Sequence, residues 1–237
     1  MAFISIAKSK TDISEDKALQ DNLKMNMLQE QWTELRGAIR KHVPYHLMHV
    51  TCLDVTQFDC AIVSNEVEEV LTSIRTDQLS LKYESRVEAQ KILGRISYNP
   101  GATLYMHELS FNEASEPLIP PGHLLNVKDI WFCGDILPAD FITLLSSAVP
   151  SLCLTCDRLR EECLVIVREY IKSFLDGSTN QTSCRISASG GLLRHVFEDL
   201  AGVGEDYMAN GPRQVHLISA LEETPIHCFI DAVNTCT

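Results

Sequence analysis

An α/β fold made of repeated strand–helix units is predicted by three observations on this 237-residue sequence. Seven short triplets with an apolar–x–apolar pattern follow residue 50, and an amphipathic helical segment occupies five of the six intervals between them. The first residues of successive triplets are 26, 25, 26, 22, 32 and 31 positions apart. Strand and helix alternating at about 20–30 residues is typical of an irregular leucine-rich-repeat-type solenoid, whose units stack to bury a common core.

The period is uneven, and the Asn/Cys ladder of the strict repeat is absent. A second architecture therefore stays open, namely a non-repetitive α/β domain whose parallel strands alternate with helices.

The elements before the repeats are assigned first. Residues 1–14 are expected to form a flexible leader. Residues 15–44 are expected to form an N-terminal helix, because apolar residues from Leu19 to Ile39 recur at helical spacing and Pro44 closes the segment. Residues 45–237 then form the α/β repeat domain.

The repeat domain begins with a strand, and its strand cores are the seven triplets: Leu53-Asp54-Val55, Leu79-Ser80-Leu81, Leu104-Tyr105-Met106, Ile130-Trp131-Phe132, Leu152-Cys153-Leu154, Cys184-Arg185-Ile186 and Val215-His216-Leu217. The helical segments between them are 65–74, 86–96, 139–148, 160–175 and 190–202. Two apolar stretches around the turn at 224–225 predict a hairpin over 212–237 that caps the last open face of the solenoid.

The middle residue of each triplet is the candidate for function. Side chains alternate along a strand, so the flanking residues face the core and the middle ones line the open side of the sheet. That row is Asp54, Ser80, Tyr105, Trp131, Cys153, Arg185 and His216. Trp, Tyr and Arg are the side chains that most often anchor protein interfaces, so the row predicts a protein-binding surface.

Composition restricts the class of protein. The net charge is -12, which disfavours a nucleic-acid binder, and no basic patch suited to anionic membranes is visible. Nine cysteines at irregular spacing, with no secretory signal and no membrane-spanning apolar run, indicate free thiols in the cytoplasm or nucleus. No complete catalytic set or cofactor motif is present, so we expect neither catalysis nor a cofactor.

Cys153 and Cys156 form a Cys-x-x-Cys sequence that raises two alternatives. A zinc-bound scaffold needs further ligands, and the nearest following histidine is the distant His195. A thiol-dependent α/β enzyme needs an activated cysteine, usually at a helix start, whereas this pair has strand character. Alternation predicts that Cys156 packs in the core with Leu152 and Leu154 while Cys153 faces outward.

Residues 149–187 carry a more specific pattern. Leu152 and Leu154 form a strand core, Leu159 opens a helix, and the helix ends in Tyr170-Ile171-Lys172-Ser173-Phe174-Leu175-Asp176-Gly177 before the strand at Cys184–Ile186. This stretch resembles the nematode F-box-associated domains, with Phe174 in place of their tryptophan. The F-box itself, with its Leu-Pro opening and run of leucines, is not recognisable in 15–48.

The resemblance implies a role in recruiting substrates beside a ubiquitin ligase, with protein partners that include the ligase adaptor. The sequence therefore predicts a non-catalytic protein–protein interaction module. The thiol enzyme and the zinc-bound scaffold remain the alternatives.

Overall fold

The structure, a computed structural model, describes residues 2–7, 23–27, 48–57, 65–109, 117–119, 122–156, 159–189, 192–201, 207–219 and 227–234. The chain divides into two compact units. Unit 1 comprises Met1–Ser110 with Leu118–Val127, and unit 2 comprises Phe111–Pro117 with Lys128–Thr237. Each is an α/β structure, as the sequence predicts, and contains three adjacent parallel strands bordered by antiparallel ones.

Unit 1 contains five of the strands and two of the helices. In chain order they are β1 (Ala2–Ala7), β2 (Leu23–Met27), β3 (Met48–Gln57), α1 (Asn65–Thr72), β4 (Ile74–Tyr83), α2 (Arg86–Leu93) and β5 (Ser97–Glu108). Strands β3, β4 and β5 are parallel neighbours, while β1 pairs antiparallel with both β2 and β3.

Unit 2 contains the remaining elements, except that Val127, the first residue of β6, belongs to unit 1. They are β6 (Val127–Gly134), α3 (Pro138–Leu145), β7 (Ser151–Cys156), α4 (Glu161–Leu175), β8 (Ser183–Ser189), α5 (Leu192–Ala201), β9 (Tyr207–Asn210), β10 (Arg213–Ser219) and β11 (His227–Asn234). Strands β6, β7 and β8 are parallel neighbours, and β11, β10 and β9 continue from β8 as antiparallel strands.

The core of each unit is built by the residues that flank the middle of each triplet. From Leu53 to Ile186 these flanking residues are all buried, while the middle residues are exposed or half-buried. The helices supply the other side of the core through residues such as Phe141, Val167 and Phe174. This separation follows from the two-residue period of a strand, which sends alternate side chains to opposite faces.

The predictions for the N-terminus need correction where the structure describes it. Ala2–Ala7 of the predicted flexible leader is strand β1, and Leu23–Met27 of the predicted 15–44 helix is strand β2. The sequence of β2 alternates apolar and polar residues, a period that a strand satisfies, and β1 supplies its hydrogen-bonding partner. The rest of 1–44 lies outside the described residues.

All seven triplets lie in strands, but the last is placed differently from the prediction. β10, which carries Val215-His216-Leu217, forms the predicted antiparallel hairpin with β11. It is β11, not β10, that pairs with β8. The seventh triplet is therefore separated from the parallel series, because a hairpin brings both of its strands to a sheet edge and only one of them can bond to it.

The end of α4 is held by the hairpin. Gly177 adopts a left-handed φ of 84°, its N–H donates to Phe174 O at 3.2 Å, and Ser178 N–H donates to Ser173 O at 2.9 Å. These two bonds are the Schellman termination of a helix, which favours glycine at this position. Arg213 of β10 donates from Nη1 to the carbonyl oxygen of Phe174 at 2.6 Å and lies 5.1 Å from the centre of the Phe174 ring.

A buried ion pair ties α2 to β5 in unit 1. Arg86 begins α2, and its Nε and Nη2 donate to the two carboxylate oxygens of Glu108, each at 3.0 Å. The side chains are 6% and 3% exposed. Two parallel hydrogen bonds between planar groups make this the geometrically strongest kind of ion pair, so it sets the position of α2 at the end of β5.

Candidate interaction face

In unit 1 the strand register places three predicted residues side by side. Asp54 lies opposite Ser80, and Ser80 lies opposite Tyr105. We call these three residues the unit 1 row. Asp54 and Tyr105 are exposed and Ser80 is half-buried. Because adjacent strands are about 4.8 Å apart, this row displays an acid, a hydroxyl and an aromatic ring in a short line.

In unit 2 the register aligns the other four predicted residues with one that the sequence analysis missed. Trp131 lies opposite Cys153, and Cys153 lies opposite Arg185. Arg185 then lies opposite Asp231 of β11, and Asp231 lies opposite His216. We call these five residues the unit 2 row. The predicted neighbours Arg185 and His216 are thus not adjacent, because β11 intervenes.

Asp231 fixes the side chain of Arg185. Nε and Nη2 of Arg185 donate to the two carboxylate oxygens of Asp231, at 2.7 Å and 3.1 Å. These hydrogen bonds, and then the charge of Asp231, hold the pKa of Arg185 above its ordinary value. The pair therefore places two opposite charges, which cancel, between Cys153 and His216 in the row.

A signal for Asp231 was present in the sequence. Ile230-Asp231-Ala232 is itself an apolar–x–apolar triplet, and Ile230 and Ala232 are buried as that pattern requires. The same rule that selected the seven middle residues would have selected Asp231.

Trp131 is the most prominent member of the unit 2 row. Its side chain is 49% exposed, although its neighbours Ile130 and Phe132 are buried. Asp129 precedes it by two residues on β6 and therefore shares its side of the sheet. We call this side, with the unit 2 row and Asp129, the unit 2 face. A large aromatic ring that is half exposed between two buried residues of a strand is typical of a contact surface.

The cysteine pair is arranged as the alternation predicts. Cys156 is buried beside Leu154, while Cys153 is half-buried on the unit 2 face. The cysteines at 52, 133, 153, 156, 163 and 184 are free thiols. Among the described residues, no three His, Cys, Asp or Glu side chains come together as they would around a metal ion.

The environment of Cys153 makes it a weak nucleophile. Burial has the largest effect and raises the pKa of Cys153. The charge of Arg185 lowers this pKa, and the charge of Asp231 raises it. Burial also raises the pKa of Cys163 to about 11 and that of Cys184 to about 12. A thiol enzyme requires the opposite shift, since the thiolate is the reactive form.

The rate of alkylation of Cys153 by iodoacetamide is therefore expected to reach half of its maximum at a pH above about 8.5, the pKa of an unperturbed thiol. The raised pKa leaves little thiolate at neutral pH, and the rate should increase only on the alkaline side. The measurement is the pH–rate profile of the Cys153 peptide by mass spectrometry, with a model thiol peptide as control. A midpoint below pH 7 would reinstate the thiol-enzyme alternative.

Comparison with known proteins adds little to this picture. No family model matches the chain, and no curated protein matches it. A search of solved structures matched M. capricolum TrmK in complex with S-adenosyl-homocysteine, at 10% sequence identity and a TM-score of 0.23, over 88% of this chain and 69% of that one. A similarity this low supports no argument about fold or function.

The fold and the face together define an α/β protein in which each unit has three adjacent parallel strands and a row of exposed and half-buried side chains on one side of them. Within the described residues, every helix falls short of the length and apolarity that a bilayer crossing requires.

Proposed function

We propose that the chain is a non-catalytic protein–protein interaction module of the cytoplasm or nucleus, which binds its partner on the unit 2 face. The observation that carries this proposal is Trp131, half exposed on a parallel strand and aligned with the Arg185–Asp231 pair. Rigid aromatic and Arg side chains in one line are the residue types that dominate binding energy at interfaces.

A leucine-rich-repeat-type solenoid is the finer architecture that we propose for the repeat domain. In its support, β3, β4 and β5 of unit 1 follow one another in chain order, and so do β6, β7 and β8 of unit 2. A doubly wound sheet reverses its strand order at a switch point and covers both faces with helices. Stacked repeats keep the chain order and leave one face open.

A connection to ubiquitin ligases is the more specific part of the proposal. The resemblance to F-box-associated domains includes a glycine after the helix that ends at Leu175, and Gly177 there has the left-handed conformation that glycine favours. In this role the open face holds a target protein and a ligase adaptor subunit joins the same complex.

The test is quantitative affinity purification of the full chain from cells that express it. Trp131→Ala and Arg185→Ala are compared with Val165→Ala and Arg194→Ala, which change exposed or half-buried residues of α4 and α5. We expect the two face variants to lose the specific partner and the two helix variants to retain it. Truncation of a central Trp or Arg commonly costs about 2 kcal/mol or more, or about thirtyfold in affinity.

Circular dichroism should show an unchanged fold in all four variants. Equal retention of the same partner by the face variants and the wild type would contradict the proposed surface. Recovery of adaptor subunits with the wild type supports the ligase connection, and their consistent absence contradicts it.

A further inference from the structure

We propose that the unit 2 face takes a cationic segment of its protein partner, with one Lys or Arg side chain held between the Trp131 ring and the Asp129 carboxylate. This inference rests on the proposed function and specifies the chemistry of the partner.

The geometry of β6 suits one cation. Asp129 and Trp131 are two residues apart on the same side of the strand, a separation of about 6.6 Å along it. A guanidinium or ammonium group over the indole ring can lie within about 6 Å of the ring centre, and so close to the carboxylate as well. Lys128 immediately precedes Asp129 but has the opposite strand parity, so it belongs to the other side of the sheet.

The charges on this face favour a cation over an anion. Arg185 is the arginine of the unit 2 row, and both carboxylate oxygens of Asp231 accept its hydrogen bonds. Asp129, in contrast, forms no hydrogen bond or ion pair with any residue that the structure describes. An acidic segment would have to compete with Asp231 for Arg185 while being repelled by Asp129.

The charge of the whole chain acts in the same direction. The net charge of -12 attracts cationic segments and repels anionic ones during encounter. Trp131 adds the ring whose face is electrostatically negative, which distinguishes this position from an isolated surface carboxylate.

Binding of fluorescently labelled penta-arginine to the full chain, followed by anisotropy at low salt, tests the inference. Penta-citrulline, which keeps the shape without the charge, and penta-glutamate are the control peptides. We expect penta-arginine to bind and both controls to fail. Asp129→Asn and Trp131→Leu should each weaken binding about two- to fivefold, because an exposed ion pair and an exposed cation–π contact are each worth about 0.5–1 kcal/mol.

Two further variants make the result specific. Trp131→Phe keeps an aromatic ring and should retain more affinity than Trp131→Leu. Asp176→Asn removes the same charge from the exposed C-cap of α4 and should leave binding unchanged. Equal weakening by Asp129→Asn and Asp176→Asn would mean general charge attraction and would overturn the inference.

An acidic partner gives a different pattern. Binding of penta-glutamate that is lost in Arg185→Ala would also overturn the inference. If partner capture depends on Trp131 but penta-arginine does not bind, the inference fails and the proposed function stands. If capture does not depend on Trp131 or Arg185, the proposed function itself fails.

Discussion

Replacing Glu108 with Gln is expected to lower the free energy of unfolding of unit 1 by about 3–5 kcal/mol. The substitution keeps the shape of the side chain but removes the carboxylate charge that accepts two hydrogen bonds from the buried Arg86 guanidinium. A buried cation cannot recover its lost hydration from a neutral amide, so most of the cost remains after relaxation. The measurement is urea unfolding followed by far-ultraviolet circular dichroism.

A matched control is available in the same unit. Glu68 pairs with Arg95 at 2.7 Å, but Arg95 is about half exposed. Glu68→Gln should cost less than about 1 kcal/mol because water compensates the separated charges. The double variant Arg86→Met with Glu108→Leu should recover most of the loss, since an apolar pair of similar size removes the buried charge. Equal costs for Glu108→Gln and Glu68→Gln would contradict this account.

Replacing Phe174 with Ala is expected to destabilise unit 2 by about 3–5 kcal/mol. The ring is fully buried at the end of α4, with Tyr170 6.2 Å away between ring centres and Arg213 above its face. Its removal leaves a cavity and takes away the surface on which the hairpin residue Arg213 rests. Urea unfolding of the variant, compared with Val165→Ala on the exposed side of the same helix, measures the loss.

A double-mutant cycle separates packing from the contact with the hairpin. Arg213→Ala alone should cost about 1–3 kcal/mol, because a charged donor leaves the Phe174 carbonyl. The coupling between Phe174→Ala and Arg213→Ala should be about 0.5–1 kcal/mol, the range of a cation–π contact. Coupling near zero would mean that Arg213 stabilises the helix end through the carbonyl alone.

The strands of the repeat domain were predictable because their pattern is local. A buried strand shows a two-residue period and an amphipathic helix a period near 3.6, and both can be recognised within about ten residues. For this reason the triplets from Leu53 to Ile186 mark the strand cores correctly. The local rule also identifies Trp131 as an exposed residue between two buried ones.

The N-terminal strands were missed because a local period alone does not decide their structure. Over 23–27 the apolar residues fit a strand as well as a helix, and only the pairing with β1 decides between them. Local spacing contains no information on the partner strand, and a backbone that finds its hydrogen bonds in a sheet does not need them in a helix.

The candidate site, like the fold, was predictable from the sequence only in part. Its residue types and their side of the sheet followed from alternation, so the sequence by itself determined which side chains face the core and which face outward. Only the tertiary structure decided which of them are neighbours. Arg185 meets Asp231 across 46 residues of chain because the hairpin turns β11 toward β8, and Arg86 meets Glu108 across 22. Such contacts depend on which strand bonds to which, and that choice is made by hydrogen bonding and packing between distant segments, which no local period records.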